Sequence, residues 1–117
     1  MPERFALPRP LPEPLVEQIA RRFRVIGEPM RIRILDRLRD GEASVQDLTD
    51  VLGTTQQNLS KHLGVLATAG LLSRRREGTR VLYAIADESV FELCSTVCGG
   101  LRRQVSDLDS LLSGAVR

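Results

Sequence analysis

A run of short hydrogen-bonding side chains occupies positions 55–62, and it carries the first chemistry that the sequence suggests. Amide, hydroxyl, amine and imidazole groups at these positions can pair with base edges in a DNA groove or with phosphate oxygens. Leu59 and Leu63 recur on the other side at a spacing of four, which is typical of one apolar helix face. The predicted nucleic-acid contacts in this run are Thr55, Gln56, Gln57, Asn58, Ser60, Lys61 and His62.

Four arginines form a second cluster around a turn signal, where Arg74, Arg75 and Arg76 precede Glu77-Gly78-Thr79 and Arg80 follows it. Residues 54–80 hold five basic side chains against one acidic one, whereas the whole chain carries a net charge of only +2. Guanidinium groups on a hairpin can reach phosphates or a narrow minor groove. Either cluster alone is also compatible with ordinary solvated surface, but their adjacency favours DNA binding.

Cys94 and Cys98 are the two cysteines, and their spacing of four places both thiols on one side of a helix. Thiolates prefer soft ions, so the pair is a candidate site for As(III), Sb(III), Cu(I) or Cd(II). Oxidation or persulfidation linking the two thiols is a second interpretation. Plain packing is a third, because cysteine also behaves as a small hydrophobe. In the cytoplasm we expect reduced thiols and not a structural disulfide.

Three helices are predicted before the polar run. Apolar residues at a spacing of four indicate a helix over 13–25. Pro29 suits the first turn of a second helix, and Gly41 closes it. Ser44 can cap a third helix, which Gly53 ends with a tight turn.

The polar run itself is predicted to lie on a fourth helix. Thr54 and Gln57 match the spacing of a capping box at its start, and Gly70 marks its end. Two short strands around the turn at Gly78 then predict a β-hairpin that carries the arginines.

A long last helix follows, with Asp87 or Ser89 as its predicted cap. Apolar residues repeat along it at steps of four and three, as they do in a coiled coil. Gly99 and Gly100 interrupt this stripe and are expected to weaken the helix. The members of the stripe are Val90, Cys94, Val97, Leu101, Val105, Leu108 and Leu112.

This order of elements predicts a mainly α fold with a small β-hairpin wing, that is, a winged helix-turn-helix. We expect a flexible Pro-rich arm at 1–12, a DNA-binding and dimerisation domain at 13–112 and a tail at 113–117. No apolar run approaches the roughly 18 residues that cross a bilayer, and the first residues contain no apolar signal region. We therefore expect a cytoplasmic protein that does not bind membranes. No enzyme is expected, because His62 is the only histidine and no catalytic motif is present.

Three segments resemble the ArsR/SmtB family of metal- and stress-responsive repressors. They read IGEPMRIRILDRL at 26–38, VQDLTDVLGTTQQNLSKHLGVLATAGLL at 45–72 and RREGTRVLYAI at 75–85. The resemblance implies a homodimer that binds a double-stranded DNA operator, with the first and last helices forming the dimer interface. It also implies that residues 55–62 lie on the recognition helix and that 74–80 form the wing.

Two ligand-sensing sites of that family are not matched here. Positions 44–46 read Ser-Val-Gln where the family's arsenite or cadmium site has Cys-Val-Cys. The family's zinc-type site uses an Asp, two His and a further His or Glu, and only the Asp is retained. The corresponding positions are Asp87, Ser89, Gly100 and Arg103.

We therefore expect a repressor that requires no cofactor and that a thiophilic ligand at Cys94 and Cys98 releases from its operator. The alternatives are a repressor that senses redox state or persulfide through the same cysteines, and a regulator of the same fold that has no ligand.

Overall fold

The computed structural model describes residues 6–114, so residues 1–5 of the predicted arm and 115–117 of the predicted tail lie outside it. Its elements divide between two compact units that meet in sequence at Asp87 and Glu88. The first unit contains α1–α4 and β1–β3, and the second contains α5. The elements are α1 Glu13–Ile26, α2 Pro29–Leu38, β1 Ala43–Ser44, α3 Val45–Leu52, α4 Gln56–Thr68, β2 Leu72–Glu77, β3 Arg80–Ile85 and α5 Ser89–Ser113.

A carboxylate fixes the start of α2. Glu28 stands at the N-cap position and accepts a hydrogen bond from the backbone N–H of Arg31 at 3.0 Å. The Arg31 side chain turns back to α1, where its Nε donates to the carbonyl of Val25 at 2.7 Å. These bonds stabilise the corner between α1 and α2 by satisfying backbone groups that helix ends leave without partners.

The predicted start and end of α3 are confirmed. The Ser44 hydroxyl accepts from the Asp47 N–H at 3.0 Å, and the Asp47 carboxylate accepts from the Ser44 N–H at 3.3 Å, which completes a capping box. The Ser44 N–H lowers the pKa of Asp47 because its hydrogen bond favours the charged carboxylate. Gly53 ends the helix at φ 62°, in the left-handed region that favours glycine.

The predicted cap of α4 at Thr54 is wrong by one residue. Thr55 is the N-cap, and its hydroxyl accepts the Asn58 N–H at 3.0 Å. The Thr54 hydroxyl instead accepts from the Asn58 side-chain amide at 3.0 Å. Asn58, which is half-buried, is thus hydrogen-bonded through both its backbone and its side chain to the two threonines that precede the helix.

The sheet is antiparallel with strand order β1-β3-β2. The predicted hairpin is confirmed, with β2 and β3 paired from Leu72 opposite Ile85 to Glu77 opposite Arg80. The two-residue strand β1, which no sequence pattern predicted, pairs with β3 through Ala43 opposite Tyr83.

The core of the first unit is aliphatic. Its fully buried side chains come from α2, α3, α4 and the start of the hairpin, so α4 is held on one side while its other side faces outward. These residues are Ile34, Leu35, Leu48, Leu59, Leu63, Leu66 and Leu71.

In the second unit, α5 continues through Gly99 and Gly100 without a break. Glu88 occupies its N-cap position, so the predicted cap at Asp87 or Ser89 is off by one residue. Residues 6–114 contain no helix long and apolar enough to cross a membrane. Much of the predicted coiled-coil stripe is 51–80% exposed in the single chain, namely Val97, Leu101, Val105, Leu108 and Leu112.

Candidate nucleic-acid interface and thiol pair

The outward side of α4 presents most of the predicted polar contacts together. Thr55, Gln56, Gln57, Ser60 and Lys61 are all exposed, while Leu59 and its apolar neighbours face the core. The two glutamine amides, the Ser60 hydroxyl and the Lys61 amine therefore project from the first two turns of α4, while the Thr55 hydroxyl caps its start. Such a helix fits the major groove of B-DNA, which presents hydrogen-bond donors and acceptors in a pattern specific to each base pair.

Gly64 continues this exposed face and was not among the predicted site residues. It lies seven positions, or about two turns, after Gln57, and a Cβ built on it meets no heavy atom within 4 Å. A side chain at this position would therefore project from the exposed face into open space.

The structure contradicts the predicted phosphate contact of His62. This side chain is only 7% exposed, because it shares the inward side of α4 with Leu59 and Leu66. Its Nδ1 lies 3.5 Å from Nη1 of Arg31 and 3.7 Å from Oε2 of Glu28. His62 therefore connects α4 to the α1–α2 corner and has no access to a docked duplex.

Glu28 is the acidic member of this buried contact. Its partial burial raises its pKa, but the N–H of Arg31 and the electrostatic attraction of His62 outweigh that effect and leave the pKa below its ordinary value. The inward side of α4 is thus held by polar contacts as well as by leucines.

The predicted wing arginines are not equivalent in the structure. Arg75 is held by two carboxylates: its Nε and Nη2 donate to Glu42 at 2.6 and 2.7 Å, and its Nη1 donates to Glu77 at 3.0 Å. The hydrogen bonds from Arg75 hold the pKa of Glu42 below its ordinary value and raise that of Arg75 itself. A phosphate would have to compete with both carboxylates for this guanidinium.

Arg80 has a looser partner, with Nη2 at 3.5 Å from Oδ2 of Asp47. Arg74 and Arg76 are exposed, and neither has a carboxylate partner among residues 6–114. Because side chains alternate along a strand, these two arginines share one face of β2. They are the wing cations most available to a phosphate.

The wing and the start of α4 border the same cleft, which has a volume of about 210 Å³. Gln56 lines it from α4, and Thr79 and Arg80 line it from the tip of the hairpin. The cleft therefore brings one member of each predicted cluster together, Gln56 of α4 and Arg80 of the hairpin.

Cys94 and Cys98 lie one turn apart on α5 as free thiols, the first half-buried and the second exposed. Among residues 6–114, no group of three or more His, Cys, Asp or Glu side chains is arranged to hold a metal ion. The chain offers two sulfur ligands at this place, so an ion that requires three must take the third from elsewhere.

Comparison with known proteins gives consistent matches. A helix-turn-helix domain model matches residues 26–75. The uncharacterized HTH-type transcriptional regulator Rv0081 of Mycobacterium tuberculosis is 38% identical over 101 residues, which are 86% of this chain and 89% of that protein. The crystal structure of Rv0081 aligns with a TM-score of 0.74 over 82% of this chain and 97% of that chain, at 38% identity.

Two further proteins are similar. The HTH-type transcriptional repressor SmtB of Mycobacterium tuberculosis is 35% identical over 89 residues, covering 73% of this chain and 66% of that protein. The homodimeric winged helix-turn-helix DNA-binding domain of Mb0332 from Mycobacterium bovis, described as a possible ArsR-family regulator, has a TM-score of 0.68 at 33% identity. That alignment covers 80% of this chain and 86% of the other chain.

These matches confirm the predicted winged helix-turn-helix and identify a family of transcriptional regulators and not of enzymes. The resemblance inferred from residues 26–38, 45–72 and 75–85 is confirmed with them. The chain therefore belongs to the ArsR/SmtB family of helix-turn-helix transcriptional regulators.

Proposed function

We propose that this protein is a homodimeric repressor that binds a double-stranded DNA operator and is released by a thiophilic ligand at Cys94 and Cys98. The observation that carries the DNA-binding part is the exposed polar face of α4, whose first residue, Gln56, shares a cleft with Thr79 and Arg80 at the tip of the hairpin. The amides of Gln56 and Gln57 can each form two hydrogen bonds with the edge of an adenine, and the Ser60 hydroxyl can donate to or accept from several bases.

Cations around this face supply the sequence-independent part of the binding. Lys61 on α4 and Arg74 and Arg76 on the wing are exposed, and they can neutralise phosphates on either side of the groove that α4 enters. Phosphate contacts fix the register of the helix, so that the glutamines meet base edges. Binding should therefore weaken strongly as salt is raised.

Exposed apolar side chains support a dimer. Val16 and Phe23 on α1 and the stripe on α5 remain in solvent in the single chain. Burying a large aliphatic or aromatic side chain contributes roughly 1.5–3 kcal/mol, so a second copy that covers these faces gains considerable free energy. Two copies related by a twofold axis present two α4 helices to half-sites one helical turn apart. The similar Mb0332 domain is described as homodimeric.

The thiol pair lies on the helix that carries the apolar stripe. Cys94 belongs to that stripe, and Cys98 is one turn further on. A soft ion such as As(III) or Sb(III) held by both thiolates, with a third sulfur from the second copy or from a small thiol, would change how the helices pack. The ligand stabilises the dimer geometry to which it binds more tightly, and operator DNA stabilises a different dimer geometry. Binding of the ligand therefore lowers the affinity of the dimer for DNA.

Redox sensing is the second candidate, and the exposure of Cys98 favours it because a solvent-accessible thiol meets an oxidant first. A peroxide would take two electrons and two protons from the thiol pair, which gives one disulfide and two molecules of water from hydrogen peroxide. A disulfide between positions i and i+4 of a helix is strained, so this reaction requires α5 to distort.

Fluorescence anisotropy on a labelled duplex selected by the reduced protein distinguishes these candidates. The proposal predicts that arsenite lowers the affinity of the wild type and leaves that of Cys94→Ser/Cys98→Ser unchanged. Loss of binding with peroxide but not with arsenite would assign the site to redox sensing. A duplex that stays bound with peroxide and with arsenite, Sb(III), Cu(I) and Cd(II) in turn would leave a regulator without a thiol ligand and would refute the sensing part.

A further inference from the structure

A groove of about 670 Å³ lies between α1 and α4, beside the exposed polar face of α4. Gln18, Arg21 and Arg22 line it from α1, and Lys61, Gly64 and Thr68 line it from α4. All of these residues belong to the first compact unit. Of these residues, Lys61 is the one that the sequence predicted to contact DNA.

The groove is cationic and has no internal counter-charge. Arg21, Arg22 and Lys61 are exposed, no acidic residue lines the groove, and none of the three forms an ion pair with another residue in the range 6–114. Three neighbouring positive charges create a local potential that favours an anion. Arginine in particular offers paired N–H donors that match two oxygens of a phosphate.

The α4 wall of the groove continues the face that is proposed to read DNA. Gln57, Lys61, Gly64 and Thr68 follow one another at spacings of four, three and four, which places them on one stripe of the helix. A duplex seated on Gln57 therefore passes the mouth of the groove. This continuity indicates that the anion is a phosphate of the DNA backbone.

The α1 wall lies on a different side of that helix from its exposed apolar residues. Gln18, Arg21, Arg22 and Val25 share one side of α1 because their spacings are three, one and three. The exposed apolar Val16 and Phe23 point away from this side, so a second copy that covers them lies on the opposite side of α1 from the groove.

We propose that Arg21 and Arg22 form a phosphate-binding site that extends the DNA footprint from α4 onto α1. The site rests on the proposed DNA-binding function and adds to it a backbone contact outside the bases that the glutamines read. It would position the recognition helix and would not itself discriminate between sequences.

The experiment compares Arg21→Ala/Arg22→Ala with Arg33→Ala/Arg103→Ala, which removes two exposed arginines from α2 and α5. Each binds a duplex selected by the wild type from a random library, and Kd is measured by anisotropy over a range of salt concentrations. Loss of one phosphate contact per protomer makes the slope of log K against log salt shallower by about 1.8 for a dimer. At about 0.15 M salt, binding becomes roughly 30-fold weaker if the contact contributes nothing at about 1 M.

Further measurements protect the test from a folding artefact. Arg21→Lys/Arg22→Lys keeps both charges and should restore most of the salt slope, and circular dichroism and size-exclusion chromatography check that every variant folds and dimerises. Ethylation of one particular phosphate in each half-site should weaken DNA binding by the wild type but not by the alanine variant. An unchanged slope in a folded alanine variant would overturn the α1 site alone. Failure of the wild type to select any duplex would overturn the DNA-binding proposal itself.

Discussion

Gly64 offers a substitution that should separate folding from DNA binding. It lies within α4, and an added Cβ would meet no heavy atom within 4 Å. In a helix interior, alanine is more favourable than glycine by about 0.8–1.0 kcal/mol. Gly64→Ala should therefore stabilise the protein by about that amount and raise Tm by about 4 °C for a chain of this size. Thermal melting followed by circular dichroism at one fixed protein concentration measures this gain.

Glutamate has nearly the helix propensity of alanine, so Gly64→Glu should be about as stable as Gly64→Ala. It differs in placing a carboxylate on the exposed face of α4. Opposite DNA phosphates, this charge should cost several kcal/mol, which is at least about a 100-fold loss of affinity, whereas Gly64→Ala should bind almost normally. Gly53→Ala is the matched control, because its φ of 62° should make the same change destabilising by roughly 1–2 kcal/mol. A Gly64→Glu variant that melts like Gly64→Ala and binds DNA equally well would refute the assignment of this face.

Two other perturbations test the wing and the dimer. Glu42→Gln should free Arg75 from its bidentate pair and so tighten DNA binding, which anisotropy would show; equal or weaker binding would contradict this. Because the pKa of Glu42 is lowered, its ion pair with Arg75 stabilises the fold at neutral pH, and this stabilisation is lost as the pH falls below about 4.5. Glu42→Gln should therefore lose less stability than the wild type on acidification. Leu101→Glu places a charge in the exposed stripe of α5 and should shift the dimer to monomer in light scattering, with a parallel loss of DNA affinity; an unchanged dimer would exclude that stripe from the interface.

Local chemistry made most of the fold predictable. The capping box at Ser44, the left-handed turn at Gly53 and the hairpin around Gly78 depend on neighbouring residues, so the sequence contains their signals. The strand β1 depends on pairing with β3 some 40 positions away, and a strand of two residues is too short to show an alternating pattern in the sequence. The predicted cap of α4 is one residue too early because Thr54 and Thr55 can both act as caps, and only the backbone geometry decides between them.

The site was predictable to the extent that it follows helix periodicity. The exposed face of α4 is the complement of its leucines, and the same spacing would have placed His62 with Leu59 and Leu66 on the inward side. The pairing of Arg75 with Glu42 joins residues 33 positions apart, so no local signal in the sequence indicates it. The groove likewise brings Arg21 of α1 beside Lys61 of α4 through tertiary packing.

The central claim is that α4 reads DNA sequence, and selection from a random duplex library with the reduced protein tests it most directly. Wild-type protein should enrich an inverted repeat whose half-sites are centred about 10–10.5 base pairs apart, or a multiple of that distance. Gln56→Ala/Gln57→Ala should keep salt-sensitive binding to DNA but lose that enrichment, because the phosphate contacts remain and the base contacts do not. Enrichment of the same sequence by the double variant, or of no sequence by the wild type, would contradict the account.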